Sequence, residues 1–463
     1  MKTIILLLSL ITCQCFATGT MRLDYYHTGG LGQELFAVDE IVIEPLPWPG
    51  NPNQPIDTTL RGKYVFEVVD IATKKLIYSR SFSNIYQEWI TTKEASKQYK
   101  TFSESLRFPE PKHPVEITLK VRKDEQQLEF KELWRTQVDP SSMFIKRAKK
   151  AEQYGIIPLM DNGDPSKKVD LLLLGDGYTQ AEKGKFIADA QRMLKVMFAT
   201  SPYKERKNDF NVWGLMPPAL ESGVNRPSTG KYRNNPVGSS YDTFGSERYA
   251  LIFDNKTFRK IAAEAPYEFV EVLMNNNTYG GGGIYGLHAT TSVDSGSAEY
   301  IFIHEFGHHF AGLADAYYSS PVAYNTSSSV RPEPFEPNVT ANTDRNTLKW
   351  KHLIKDSTPV PTAWQQDKYD AYVRVHEQER SDIRAKKSPE TVMDALFQER
   401  LNWEAILFDK NKYKNDIGLF EGANYQAKGY YRSQQNCLMF TRSMGFCEVC
   451  NHAVQDVIDQ YSK

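Results

Sequence analysis

The chain has 463 residues, of which 40% are hydrophobic and 24% are charged, and its formal net charge at pH 7 is −1. This composition is typical of a globular protein with enough chain for more than one hydrophobic core. Because the net charge is close to zero, there is no electrostatic basis for binding nucleic acid or an anionic membrane surface, and we predict no nucleic-acid partner.

The N-terminus has the layout of a secretory signal peptide. A lysine precedes an apolar run over residues 4–12, and small and polar residues follow around Ala17. We predict a signal peptide over residues 1–17 and a secreted or cell-envelope protein, either periplasmic or surface-exposed. The apolar run is shorter than the ~20 residues of a membrane-spanning helix, and no later stretch reaches that length, so no integral membrane span is expected. A lipid anchor on Cys13 or Cys15 is an alternative.

Alternating apolar and polar residues run through the next part of the chain. Short strands at regular spacing, separated by turns, predict a β-sandwich domain over residues 21–139. The clearest alternating segments cover residues 59–70, 76–82 and 115–122. No residue cluster in this region suggests catalysis, so we expect a structural or substrate-docking role. The domain boundary is predicted near Asp139, with a helix over residues 144–154 beyond it.

The pattern of residues 145–463 predicts an α/β domain. A buried strand beginning at Val169 ends in a glycine-rich turn and precedes a helix over residues 180–198, and strands and helices alternate beyond it. Further strands are predicted at residues 210–216 and 249–253, and further helices at residues 258–275, 373–385 and 390–400. We expect residues 319–405 to be an elaboration that covers or borders the cleft.

Four consecutive glycines, Gly280–Gly283, come shortly before the segment with the candidate chemistry. Glycines allow both close backbone approach and mobility. They predict either an edge strand beside the cleft that pairs with an extended substrate peptide, or a flexible surface loop.

The segment from Ala298 to Asp315 carries the candidate chemistry. It contains His-Glu-x-x-His, in which His304 and His308 are four residues apart. On a helix both imidazoles lie on one face and can bind one Zn²⁺ ion, and Glu305 beside them can take a proton from water as general base. A chance occurrence on a solvated helix is the alternative. The apolar residues around the motif instead predict partly buried histidines, which need partners.

The same segment suggests a third ligand. Gly312 is predicted to end the helix, because glycine adopts the left-handed conformation at low cost. Beyond this turn, Asp315 is placed to return toward the ion, which leaves a fourth position open as in catalytic zinc sites. His309 is excluded as a ligand because its position turns it away from the metal-facing side. His288 is expected to be a packed or exposed side chain.

Three cysteines, Cys437, Cys447 and Cys450, lie near the C-terminus, and the other two of the five lie in the predicted signal peptide. Three cysteines allow at most one disulfide with one free thiol, or no disulfide. A structural zinc site that includes His452 is the alternative.

The sequence from His304 to Asp315, together with Cys437-Leu-Met439 and Phe446-Cys-Glu-Val-Cys450, resembles the family of secreted bacterial zinc peptidases typified by an immunoglobulin-A-cleaving enzyme. That family belongs with the metzincin-like peptidases. The resemblance implies Zn²⁺ bound by His304, His308 and Asp315, with Glu305 as general base and Met439 in a turn beneath the metal.

One departure from the metzincin pattern concerns the third ligand. In that pattern the glycine lies three residues, and the third ligand six residues, after the second histidine. Here Gly312 and Asp315 each lie one residue further along the chain. Asp315 therefore either binds the ion directly or contacts a residue that does.

These observations predict an α/β metzincin-like zinc peptidase domain preceded by a β-sandwich domain. The predicted function is a secreted zinc-dependent endopeptidase acting on protein or peptide substrates. One alternative is a non-catalytic surface protein that binds protein or glycan and keeps a structural metal site, although such a module has no need of Glu305. The other alternative is a metal-dependent hydrolase of a non-peptide bond.

Overall fold

The computed structural model describes residues 18–123, 129–150, 153–319 and 331–463. The predicted signal peptide and the candidate lipid-anchor cysteines Cys13 and Cys15 lie outside these residues. None of the helices in the described ranges is long and apolar enough to cross a membrane.

The N-terminal region is built from β-strands and one short helix. In chain order these are β1 (Gly19–Gly30), β2 (Gln33–Pro47), β3 (Tyr64–Asp70), β4 (Leu76–Phe82), α1 (Ile85–Trp89), β5 (Lys100–Pro109), β6 (Val115–Arg122), β7 (Phe130–Val138) and β8 (Lys146–Arg147). They form two sheets within the described residues, with strand orders β5-β1-β2-β8 and β4-β3-β6-β7. The three segments singled out by their alternating pattern correspond to β3, β4 and β6.

The two N-terminal sheets share one hydrophobic core. Leu23 and Phe108 from the first sheet and Phe66, Ile117 and Leu119 from the second belong to the same buried cluster. Alternation along each strand places these side chains on the inner face, where their burial stabilises the pair of sheets. The helix predicted over residues 144–154 is wrong, because Lys146 and Arg147 pair with β2 as the short strand β8 and the other described residues of that segment are not helical.

The second region combines helices with a mixed sheet. Its elements are β9 (Ile157–Met160), β10 (Val169–Asp176), α2 (Lys183–Met197), β11 (Phe210–Leu215), α3 (Asn255–Ala262), β12 (Phe269–Met274), β13 (Gly281–Ile284), β14 (His288–Ser292), α4 (Ala298–Ala311), β15 (Val339–Thr340), α5 (Gln366–Ala385), α6 (Glu390–Asp409), β16 (Phe420–Ala423), β17 (Gln426–Arg432) and α7 (Glu448–Ser462). The larger sheet has the order β13-β14-β12-β10-β11-β9, and the smaller one the order β15-β17-β16.

The central strand β10 explains the layering of this region. Leu171 and Leu173 point into the core formed with α2, α4 and α7, whereas Leu172 and Leu174 point into the core formed with α3. A strand buried on both faces has a continuous apolar sequence, as the run after Val169 predicts. The separate N-terminal region and the mixed α/β region are therefore both confirmed.

Two predicted elements in the α/β region are wrong. The helix predicted over residues 258–275 ends at Ala262, and β12 occupies Phe269–Met274 as a strand parallel to β10. Pro266 separates the two elements because its ring is incompatible with a continuous helix. The strand predicted over residues 249–253 is reduced to isolated bridges at Tyr249 and Leu251.

The region over residues 319–405 contains β15, the helix α5 and most of the helix α6, which pairs with α5. Residues 320–330 lie outside the described ranges. Phe397 of α6 packs on Tyr279, with ring centroids 5.0 Å apart. Tyr279 immediately precedes the glycine run that leads into β13. Helix α6 therefore packs next to the start of β13, at one edge of the sheet that contacts α4.

Candidate functional site

Helix α4 presents two histidines on one face. His304 and His308 are one turn apart, and their Nε2 atoms approach to 3.2 Å. The other ring nitrogens contact backbone oxygens, with His304 Nδ1 lying 3.2 Å from Leu438 O and His308 Nδ1 lying 2.6 Å from Leu313 O. Donation from both Nδ1 atoms to these carbonyls fixes the tautomer that leaves both Nε2 lone pairs facing a common point.

Asp315 reaches the same point after a tight turn. Gly312 ends α4 with a left-handed φ of 60°, which allows the chain to reverse direction at low cost. Asn338 then holds Ala314 through two hydrogen bonds of 2.8 Å, one from the Ala314 N–H and one to the Ala314 carbonyl. Asp315 Oδ1 consequently lies 3.0 Å from His304 Nε2 and 3.3 Å from His308 Nε2.

The three converging atoms fit a metal ion. Their separations of 3.0 to 3.3 Å match the edge of a tetrahedron with ligand bonds of ~2.1 Å, which is about 3.4 Å. Two imidazole nitrogens and one carboxylate oxygen are ligands that Zn²⁺ accepts, and a fourth position stays open. With no ion bound, burial acts to raise the pKa of Asp315, but His308 and His304 in their protonated forms hold it well below its ordinary value. A bound cation would likewise favour the anionic carboxylate.

Glu305 lies on the same helix face, next to the first histidine. Burial raises the pKa of Glu305, and the two histidines only partly offset that effect. A Cβ placed on Gly283 would lie 2.2 Å from the Glu305 carbonyl oxygen, so β13 passes against α4 at a distance that only glycine permits. The Glu305 Cγ lies 3.2 Å from where a Cβ on Gly281 would stand, so this side chain also packs against β13.

Met439 lies under the same helix. It is fully buried, and its Sδ atom is 3.2 Å from where a Cβ on Gly307 would stand. The preceding carbonyl, Leu438 O, contacts His304, and Met439 O accepts a hydrogen bond of 2.8 Å from the Ala316 N–H. The turn around Met439 thus supports both α4 and the segment that carries Asp315.

Two family models match the sequence. The Peptidase M64 N-terminus model matches residues 13–134, and the IgA Peptidase M64 model matches residues 157–458, which is more than half of the 463 residues. The chain belongs to the IgA peptidase M64 family. The resemblance inferred from the sequence motifs is therefore confirmed. No curated protein matches the sequence.

Membership of the M64 family implies a peptidase, which is a hydrolase with protein substrates. M64 peptidases are generally metallopeptidases, and the described residues contain two groups of side chains that can hold a metal ion. One group is His304, His308 and Asp315. The other is Cys437, Cys447 and Cys450.

Two further histidines near the motif of this M64 chain, His309 and His288, are buried and pack within the fold. His309 Nδ1 donates to Ile284 O at 3.0 Å, and His309 Nε2 accepts from the Val270 N–H at 3.2 Å. Burial lowers the pKa of His309 to about 3, consistent with a neutral ring that links α4 to β12 and β13. His288 is also buried and packs edge-on against Phe258.

Several site residues of the M64 chain have no local sequence signal. The Tyr425 hydroxyl donates a hydrogen bond to Asp315 Oδ2 across 110 residues of chain. The Tyr317 ring lies nearly parallel to the His304 ring at 6.2 Å, and its hydroxyl accepts from the Arg248 guanidinium at 3.2 Å. Asn338, which orients Ala314, lies 24 residues away from it. Only Tyr317, close behind Asp315, could have been found by extending the motif.

The glycine run of the M64 chain forms the edge strand β13, which is paired with β14 and mostly buried. Its outer side is partly covered, because the Gly281 N–H donates to Arg248 O and Gly281 O accepts from the Ala250 N–H. The glycines therefore serve the close approach to α4.

Proposed function

We propose that this chain is a secreted zinc-dependent endopeptidase. The observation that carries the proposal is the convergence of His304 Nε2, His308 Nε2 and Asp315 Oδ1 within 3.3 Å of one another, with the carboxylate of Glu305 beside them. Glu305 is the general base, and the N-terminal signal peptide directs the chain out of the cytoplasm.

The chemistry follows from the positions of these side chains. His304, His308 and Asp315 would hold the zinc ion, which would supply Lewis-acid chemistry at the scissile carbonyl and would lower the pKa of water at the site. Glu305 takes the proton of the attacking water and passes it to the leaving amine when the C–N bond breaks.

Tyr317 is proposed to assist at the carbonyl oxygen. Its phenol lies over the His304 ring, and Arg248 contacts its hydroxyl. A donor in this position can hydrogen-bond the negative charge that develops on the substrate oxygen. Tyr430, which precedes the Met439 turn, is less suitable, because its hydroxyl donates to the Pro332 carbonyl at 3.1 Å.

The finer fold assignments belong to the same proposal. We propose a metzincin-like arrangement for the α/β region, supported by the position of Met439 beneath α4. We further propose that the two N-terminal sheets form a β-sandwich, supported by their common core.

Metal removal and restoration test the proposed function in the wild-type protein. Casein, which is largely unfolded, serves as a general protein substrate, and its internal cleavage is followed by mass spectrometry. We expect hydrolysis to stop after dialysis against a chelator and to return when zinc is added. A metal-loaded protein that binds casein without cutting it would support a non-catalytic binding protein instead. Cleavage that is unaffected by complete metal removal would contradict the proposal.

A further inference from the structure

A second cluster of metal-binding side chains lies near the C-terminus. The Sγ atoms of Cys437, Cys447 and Cys450 all lie within 4.8 Å of one another, and all three side chains are buried. Cys437 precedes the Met439 turn, Cys447 caps α7, and Cys450 lies in the first turn of that helix. Two separate parts of the chain therefore bring their sulfur atoms to one point.

The sulfur spacing favours a shared ion over a disulfide. Cys437 Sγ and Cys450 Sγ are 3.7 Å apart, whereas a disulfide bond is ~2.05 Å long. A tetrahedral zinc site with Zn–S bonds of ~2.3 Å has sulfur-to-sulfur edges of about 3.8 Å. The distance of 3.7 Å therefore fits two ligands of one metal ion and is far too long for a disulfide bond.

Hydrogen-bond donors surround the cluster in the way that thiolates require. The Cys447 N–H donates to Cys437 Sγ at 3.1 Å, and the Ser433 hydroxyl lies 3.3 Å from Cys447 Sγ. The Met439 N–H and the Cys450 N–H donate to Cys437 and Cys447, respectively. The N-terminus of α7, a helix of 15 residues, adds a positive dipole end at Cys447.

The buried side chain of Arg432 lies near the cluster and is stabilised by negative charge close to it. Arg432 is buried against the Phe440 ring, 3.7 Å from its centroid, and its guanidinium donates to the backbone oxygens of Gln435, Glu421 and Gly422. Among the residues that the structure describes, no carboxylate forms an ion pair with it. Tyr318, Tyr369, Cys437 and Asp370 act on it electrostatically over longer distances. Three thiolates around one divalent ion leave one negative charge, which compensates this arginine.

We propose that Cys437, Cys447 and Cys450 bind a structural zinc ion, with the Ser433 hydroxyl or a water molecule as the fourth ligand. Binding replaces the three thiol protons, which are released to solvent, and no oxidant or reductant is involved. His452 is not a ligand, because its side chain is half-exposed and pairs with Glu448 at 3.2 Å.

This ion stabilises the turn that supports the first site. Cys437 is two residues before Met439, and the intervening Leu438 carbonyl contacts His304 Nδ1. Zinc at the cysteine cluster links this turn to α7. The proposal does not depend on the proposed peptidase activity, since a structural ion can be present whether or not His304 and His308 bind a metal.

Metal stoichiometry and cobalt substitution test the proposal in the mature chain, which lacks the predicted signal peptide and with it Cys13 and Cys15. The matched control is the double variant His304→Ala/His308→Ala, which removes the first candidate site and leaves the cysteines intact. We expect two zinc ions per chain in the wild type, one in the double histidine variant and at most one in Cys447→Ser. With cobalt, the double histidine variant should keep the near-ultraviolet charge-transfer absorption that thiolate ligands produce.

The cobalt spectrum of the wild type and of the histidine variant needs no cysteine substitution, so a Cys447→Ser variant that fails to fold does not decide the outcome. Intact mass after alkylation covers the disulfide alternative. A mass lower by two hydrogens with only one alkylated thiol would overturn the proposal. So would three alkylated thiols in a histidine variant that binds no metal and shows no thiolate-to-cobalt absorption.

Discussion

Asp315 is oriented by neighbours on both sides of its carboxylate. One oxygen faces His304 and His308, and the other accepts a hydrogen bond from the Tyr425 hydroxyl. A ligand carboxylate that is hydrogen-bonded through its second oxygen loses little conformational freedom when a metal binds, so such partners increase metal affinity. The contribution of Tyr425 can therefore be measured separately from that of Asp315.

The Tyr425→Phe variant removes only the hydroxyl that holds Asp315. We expect its zinc affinity, measured by competition with a chromophoric chelator, to fall about 10- to 100-fold. Asp315→Ala should lose more, because a ligand atom itself is removed. Tyr431→Phe, on the neighbouring strand β17, serves as the control and should bind zinc as the wild type does. Wild-type affinity in Tyr425→Phe would show that this hydroxyl does not support the ligand.

At the residue scale, the sequence was informative where the spacing was local. His304, Glu305 and His308 follow from helical periodicity, and Gly312 follows from the glycine preference for a left-handed C-terminus. The structure brings Asp315 to the two histidines even though it lies one residue beyond the usual position. Tyr425 and Asn338 could not be inferred, because long-range contacts leave no periodic signal.

At the scale of elements, the contact between β13 and α4 depends on glycine. A Cβ on Gly283 would lie 2.2 Å from the Glu305 carbonyl oxygen and 3.0 Å from the His308 side chain. A backbone oxygen cannot move away without a displacement of the whole helix. The glycine run therefore sets the distance between the sheet and the helix that carries the candidate site.

The Gly283→Ala variant is expected to push α4 away from β13. Its melting temperature should fall by several degrees, and casein hydrolysis should fall with it. Gly184→Ala in α2 is the matched control, because no atom lies within 4 Å of its added Cβ. Alanine at that helical position should stabilise the protein by up to about 1 kcal/mol. Thermal unfolding of both variants tests the argument, and equal melting temperatures would contradict it.

Elements with a strong pattern were predicted well. The apolar run of β10 and the alternating segments of β3, β4 and β6 occur where the sequence places them. The sequence pattern predicts a helix where β12 lies, because short apolar runs carry no period that separates helix from strand. It also predicts a helix at β8, whose strand structure depends on pairing with β2, which a local pattern cannot reveal.

At the scale of the molecule, the N-terminal region directly contacts the helix with the candidate site. The Arg61 guanidinium donates to the Ala311 carbonyl, the last residue of α4, at 3.2 Å, and to the Ala453 carbonyl of α7 at 2.7 Å. It also pairs with Asp456 at 2.8 Å. No local sequence pattern indicates this contact, which joins residues 250 positions apart.

The pH dependence of thermal stability is expected to reflect the titration of His27 in β1. This fully buried ring lies 3.2 Å from Glu104 and 3.1 Å from Glu34. Burial acts to lower the pKa of His27, but the two carboxylates raise it from 6.5 to about 9. Because the folded state binds this proton more tightly, the stabilisation is complete below the ordinary pKa of 6.5 and is lost as pH rises through about 9.

Thermal unfolding across this pH range measures the effect. The wild type should lose up to about 3 kcal/mol of stability from this group between the two pKa values. His27→Gln keeps a polar side chain of similar size that does not titrate. The free energy of unfolding of this variant should therefore change less over the same pH range. Parallel pH profiles for the two proteins would contradict the assignment of this charge to His27.

Substitution of Glu305 tests the proposed chemistry most directly. Glu305→Gln keeps the size of the side chain and leaves all three proposed ligands in place. We predict wild-type zinc content with casein hydrolysis reduced about 10²- to 10⁴-fold, the usual contribution of a general acid–base group. Glu299→Ala, an exposed position on the same helix, should retain full activity. Hydrolysis at the wild-type rate by zinc-loaded Glu305→Gln would contradict the account.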